Sequence, residues 1–207
     1  MIEHIYDIER FLRKLPILSS GSLSVFMASG ANPYNYVVRK RLTDVHLKAE
    51  LLGAEKAWGW KDRDCPTAFA QVRASIIVGH LASRGVQLDE TVVSQWVSRT
   101  RGMADWDIRR EVDIYLQTGR LPQEPDHPTN TCDPTTGNWA EHLMDPFWLA
   151  YILTQEGFET DVLCGYCGSQ GNRLRRLVKK ILNVGIHFSG RAGLYIAPFY
   201  ALHARRR

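Results

Sequence analysis

Apolar residues follow two rhythms along the chain: a helical one over most of its length, and a strand-like one in three short runs. Near the front, Ile8, Phe11, Leu12 and Leu15 recur at helical spacing behind Asp7. This predicts a short helix capped by Asp7 and stopped before Pro16. Gly21 then punctuates a strand over 22–28, where Val25 and Phe26 favour extended backbone. Asn32-Pro33-Tyr34-Asn35 is a turn, and the chain beyond it is helical in pattern. Helices are expected over 36–53 and 67–83, behind Asp89 through Val92, Val93, Trp96 and Val97, and over 105–116. Trp58-Gly59-Trp60 breaks the first from the second, and Gly119 and Pro122 end the last. The Trp58 and Trp60 rings suit either stacking on a base or sugar or packing at a helix end.

The rhythm changes after residue 145. Pro146 opens a helix through Phe147, Trp148, Leu149, Tyr151, Ile152 and Leu153, and Gly157 stops it. A β-prone run occupies 158–166. A basic amphipathic helix follows over 172–188, with Leu174, Leu177, Val178, Ile181, Leu182 and Ile186 on one side. A last strand is expected over 193–203, dented by Pro198, which has no N–H to give a ladder. Helix, strand, helix, strand forms a complete edge of a layered sheet. The chain thus divides into a front segment 1–30, a helical insert with a polar loop 31–145, and a tail 146–207.

The polar loop runs from Pro125 to His142, and its prolines, Asn, Asp, Thr and Gly forbid a regular helix or central strand. Asp133 and Thr135 are placed to satisfy backbone groups locally. Its other polar side chains could equally contact a ligand.

Composition adds limits rather than identity. Among 207 residues, 44% are hydrophobic and 23% charged, ordinary values for a globular protein. No apolar run approaches the roughly 20 residues that cross a bilayer, and the first residues lack a signal-peptide pattern. Four cysteines are too few and scattered for a disulfide scaffold, so a cytoplasmic protein is expected. A net charge of +4 does not by itself announce nucleic acid. The cluster Arg173, Arg175, Arg176, Lys179 and Lys180, with the arginines 205–207, could meet RNA phosphates or an acidic lipid surface. Its expected role is a solvated helix face with a basic tail. Cys164 and Cys167 have Cys-x-x-Cys spacing, yet no second ligand pair accompanies them, so neither a structural zinc nor any other metal is expected.

Two stretches together resemble a family. Ile2-Glu3-His4-Ile5-Tyr6-Asp7, then Phe11-Leu12, then Ser20-Gly21-Ser22 leading into a strand, matches an order found in class I S-adenosylmethionine-dependent methyltransferases. There the first motif follows the fourth strand, and Pro-Gly-Gly usually introduces the fifth. The tail is similar to the family's C-terminal end: Gly157-Phe158, a strand, Gly165-Tyr166, a long crossing, then 193–200. In that family the seventh strand inserts antiparallel between the fifth and sixth.

The resemblance implies an α/β fold, the C-terminal portion of a Rossmann-like class I methyltransferase sheet with a helical insert. It implies S-adenosylmethionine as cofactor and a small-molecule acceptor of the methyl group; the apolar pattern leads to no expected membrane partner, and nucleic acid is not the leading partner. Such a site cradles its cofactor with a glycine-rich loop, and an acidic residue takes the ribose hydroxyls. No Gly-x-Gly turn opening a helix stands ahead of Glu3 in this sequence. The chain is therefore expected to be the C-terminal half of such an enzyme. It would need the missing N-terminal half or a partner protein, and be poorly soluble alone. Glu3 and His4 are the implied cofactor-facing residues, and His4 the implied general base. Relatives that pair Glu and His around a divalent ion use further ligands that this sequence lacks. The implied substrate contacts lie in the polar loop: His127, Asn130, Asp133, Asn138, Trp139, Glu141 and His142. Two other readings remain open. One is a non-catalytic methyltransferase remnant that binds a partner; the other is an RNA-binding protein using the basic helix.

Overall fold

The computed structural model describes residues 2–18, 20–53, 67–125 and 130–206. Trp58, Trp60, Cys65 and His127 lie outside the described residues. The chain divides into two compact units, Met1–Leu42 with Glu141–Arg207, and Thr43–Ala140. The helical insert therefore begins inside a helix rather than at residue 31, and 141–145 belong with the tail. No change of composition marks the junction of Leu42 and Thr43.

The first unit is mixed α/β. Helix α1 (Ile8–Lys14) starts where the Asp7 carboxylate accepts the Arg10 N–H at 2.9 Å. Strand β1 (Leu23–Ser29) follows, and helix α2 (Tyr36–Leu52) starts in this unit. After the second unit come helix α6 (Pro146–Gln155), strand β2 (Glu159–Cys164), helix α7 (Arg173–Phe188) and strand β3 (Tyr200–Arg206). The sheet order is β1-β3-β2, and β3 is antiparallel to both neighbours. The last strand is thus inserted between two strands that run parallel to each other.

Alternation along the strands gives the sheet two unlike faces. Met27, Leu202 and Val162 stand side by side in register and join Ile8, Leu12, Leu149, Ile152 and Leu153 in one core. Helices α1 and α6 cover this face. On the other face Phe26, His203 and Asp161 are in register. There Ser24 Oγ meets His203 Nε2 at 3.0 Å, and Arg205 reaches Asp161 at 2.9 Å. A half-solvated antiparallel ladder explains why apolar and polar residues alternate here.

The last strand starts later than its sequence predicts. Residues Gly190–Tyr195 form a 3-10 turn, and the Ile196 and Ala197 amides both donate to the Gly193 carbonyl, at 3.1 and 2.8 Å. Pro198 follows, with no N–H for a ladder, so pairing begins at Tyr200. Gly193 has to be small. A Cβ there would lie 2.9 Å from the Ile186 carbonyl oxygen and 3.1 Å from Cys164 Sγ.

The second unit is helical: the end of α2, then α3 (Phe69–Ser83), α4 (Glu90–Arg99) and α5 (Asp105–Thr118). Helix α3 packs on α4 and α5 around Ile77, Leu81, Trp96, Ile108 and Val112. Trp96 meets Tyr115 edge-on at 5.5 Å between ring centres. Asp89 caps α4 through the Val92 N–H at 3.0 Å. Gly119, at φ 69°, closes α5 in the left-handed conformation that its sequence position announces.

Candidate active site

The C-terminal ends of β1 and β2 meet the start of β3 at one edge, where Ser29, Tyr200 and Cys164 are paired in register. In open α/β sheets this is the edge at which ligands bind. Its loops are tied together by amide side chains. Asn32 donates to the carbonyls of Leu194 and Ala197 at 2.8 and 2.9 Å, and accepts the Tyr34 N–H at 3.0 Å. Asn35 donates to Ala197 at 3.0 Å and caps α2 through the Val37 and Val38 amides. Both asparagines spend their hydrogen bonds on the scaffold, so they position the edge rather than offer a ligand their groups.

The groups left for chemistry are acidic and phenolic. Glu3, in a 3-10 turn over Ile2–His4, is buried, and its Oε2 has no hydrogen-bond partner among the described residues. A buried carboxylate oxygen without a donor is costly unless something supplies one. Tyr200 is buried at the start of β3. Burial pushes its phenol up, the Ser29 hydroxyl beside it pulls it back, and the charges of Glu3 and Asp145 raise it again. Tyr34 donates its hydroxyl to Asp145 at 3.1 Å, and burial followed by the Asp145 charge pushes its phenol up as well. Both phenols remain donors through neutral pH. Asp145 accepts the Phe147 N–H at 2.9 Å with the same oxygen, which ties the phenol of Tyr34 to the start of α6.

The sequence-derived candidates fall into two sets. In the sheet unit, the His142 N–H donates to the Glu3 carbonyl at 3.1 Å, so Glu3, His4, Glu141 and His142 are brought together. His4 is exposed, and Glu141 stands 3.9 Å from Arg41, at a positive φ of 56°. Asn130, Asp133, Asn138 and Trp139 belong to the helical unit. There the loop is a tight turn: the Asp133 N–H donates to Asn138 at 2.9 Å, and Cys132 bridges Trp139. Asp133 accepts from the Thr135 amide at 2.8 Å and hydroxyl at 2.7 Å, which is the local capping its sequence suggests. Asn130 is buried, and its backbone carbonyl accepts from Arg101 Nε at 3.2 Å.

Sequence reasoning missed Ser29, Tyr34, Asp145 and Tyr200 as site residues. The available signal was position: each lies at the end or entry of a strand or helix on the edge where open sheets bind ligands.

Comparison of the chain with protein-family models, with curated proteins and with solved structures found no match in any of the three.

Proposed function

We propose that the chain is the C-terminal part of a class I S-adenosylmethionine-dependent methyltransferase acting on a small-molecule acceptor. The observation that carries this reading is β3, inserted antiparallel between β1 and β2, with a helix ahead of each of those two strands. That order is the one expected for the family's fifth, seventh and sixth strands. Among the described residues the outer edge of β1 has no paired strand, which supports a further segment pairing there, from a longer polypeptide or from a partner subunit.

The residues fit the cofactor in part. Glu3 offers a buried acceptor oxygen suited to a hydroxyl or amino group of the cofactor. When bound, S-adenosylmethionine supplies an electrophilic methyl group, so the protein need only align the acceptor and manage its proton. At this edge Tyr200 holds its proton through neutral pH and can orient an acceptor by donation, while the Tyr34 proton is already given to Asp145. His4 is the candidate general base of this reading.

The test uses the protein purified from its natural source. Its intact mass is compared with the 23.6 kDa of these residues, and binding of radiolabelled S-adenosylmethionine is measured on the same sample. Saturable binding weakened by Glu3→Ala supports the reading. Absence of binding in a protein of larger mass overturns it.

A further inference from the structure

Helix α7 is oriented the opposite way from a surface helix that covers a core. Its apolar residues Leu174, Leu177, Val178, Ile181 and Phe188 recur at i, i+3, i+4 and i+7 and form one stripe. That stripe faces solvent: Leu174 is 69%, Ile181 63% and Phe188 82% exposed. The opposite side of the helix is held to the segment that leads into it. Lys179 Nζ donates to the Gln170 carbonyl at 2.7 Å, and Asn183 exchanges two hydrogen bonds with the Cys167 backbone at 2.7 and 3.0 Å. Ile186, on that same side, is buried. The polar face is therefore docked and the apolar face displayed.

The flanks of the stripe are cationic. Arg173, Arg175 and Lys180 border it, Arg191 follows in the next turn, and the sequence has no acidic residue after Asp161. A second copy of the chain would bring these cations against their own kind. A nucleic acid would use the charge and leave the stripe in water. An anionic lipid surface uses both, with headgroups for the cations and acyl chains for the stripe. No helix among the described residues is long and apolar enough to cross a membrane, which leaves a position in the plane of the surface.

We propose that α7 docks the protein onto an anionic lipid surface, its stripe among the acyl chains and its flanking cations at the headgroups. This goes beyond the methyltransferase reading and stands without it. The experiment is flotation of the full chain with vesicles of phosphatidylcholine containing phosphatidylglycerol, and with vesicles of phosphatidylcholine alone. Binding to the anionic vesicles, weakened by salt, is expected. Ile181→Asp should lower the partition coefficient by at least about tenfold, because a large exposed side chain can no longer enter the lipid. Lys180→Gln should lower it roughly fivefold. Leu177→Ser serves as a second stripe variant, and unchanged circular dichroism confirms that each variant is folded. The proposal fails if wild type does not float, or floats equally with neutral vesicles, or if Ile181→Asp floats like wild type. A dimer abolished by Ile181→Asp would assign the stripe to a second copy. RNA binding that survives Ile181→Asp, without vesicle binding, would assign the cations to nucleic acid. Either result overturns the lipid surface.

Discussion

Arg73 closes a two-point fork on Glu50 inside the helical unit, with Nη1 to Oε1 at 3.0 Å and Nη2 to Oε2 at 2.5 Å. Both side chains are almost wholly removed from water. The pair is completed by the Thr131 hydroxyl on Glu50 Oε1, by Arg101 at 3.8 Å, and by the Val97 carbonyl, which accepts from Arg73 Nε at 3.3 Å. It joins α2, α3, α4 and the start of the polar loop.

Removing one partner leaves the other charged and buried. Glu50→Ala and Arg73→Ala should each cost about 3–5 kcal/mol, far more than an exposed pair such as Arg205 and Asp161 would. Urea unfolding followed by circular dichroism measures this. The double replacement Glu50→Leu with Arg73→Met should cost less than the sum of the single truncations, because no unpaired charge remains. A double variant as unstable as the sum would mean that the two residues act independently.

The same pair sets an acid dependence. Burial alone would raise the Glu50 carboxyl. The Arg73 hydrogen bonds and charge, then Thr131 and Arg101, more than reverse this, so it lies below its ordinary 4.5. The folded state therefore binds the proton less readily than the unfolded chain. The stability that follows is complete above about pH 4.5 and is lost as pH falls through the lower folded value. Wild type should exceed Glu50→Gln in urea midpoint by a constant margin from neutral pH down to that point, and the margin should shrink in more acidic solution. A margin that stays constant into strong acid would contradict the assignment.

Local signals were the legible part of this fold. Asp7 and Asp89 announce helix starts, because a cap needs only its own side chain and an amide three residues on. The inserted last strand was also expected, though its start was misplaced by the 3-10 turn and by Pro198. What the sequence hid was which face of an element meets the body. The pattern of α7 shows two unlike faces, and only the Asn183 and Lys179 contacts decide that the polar one is docked. The pairing of Glu50 with Arg73 has no local signal, because it joins residues 23 positions apart on two helices. Candidate site residues were proposed where the turn order suggested them, as with Glu3 and His142, which share a backbone hydrogen bond. They were invisible where strand register alone brings them together, as with Ser29 and Tyr200.

Thiol reactivity distinguishes the cysteines. Cys132 is fully buried beside this ion pair, and burial pushes its thiol far up, a shift that the Arg73 charge only partly offsets. Since the thiolate is the nucleophile, Cys132 should resist iodoacetamide at mildly alkaline pH in the folded protein. Among the described cysteines, Cys167, partly exposed, should be labelled first, and Cys164, whose thiol burial also raises, more slowly. Peptide mass mapping after timed labelling reads the order. Urea should make Cys132 as reactive as the others; rapid labelling of native Cys132 would contradict its burial.

The exit of β2 is held by a glycine that nothing larger can replace. The Gly165 N–H donates to the Phe199 carbonyl at 2.8 Å, which extends the β2–β3 ladder past Cys164. The Phe199 ring lies over the glycine, and a Cβ at residue 165 would fall 2.4 Å from it. Either the ring or the strand end must therefore move. Gly165→Ala should destabilise the sheet unit by about 1–3 kcal/mol, the range for forcing volume into a packed contact. Gly168, with no atom near its would-be Cβ, should tolerate the same change with far less effect. Combining Gly165→Ala with Phe199→Ala should recover most of the loss, because the clash is removed while the backbone hydrogen bond remains. Thermal unfolding of the three variants decides the matter. A double variant no more stable than Gly165→Ala would place the constraint in the backbone rather than in the ring.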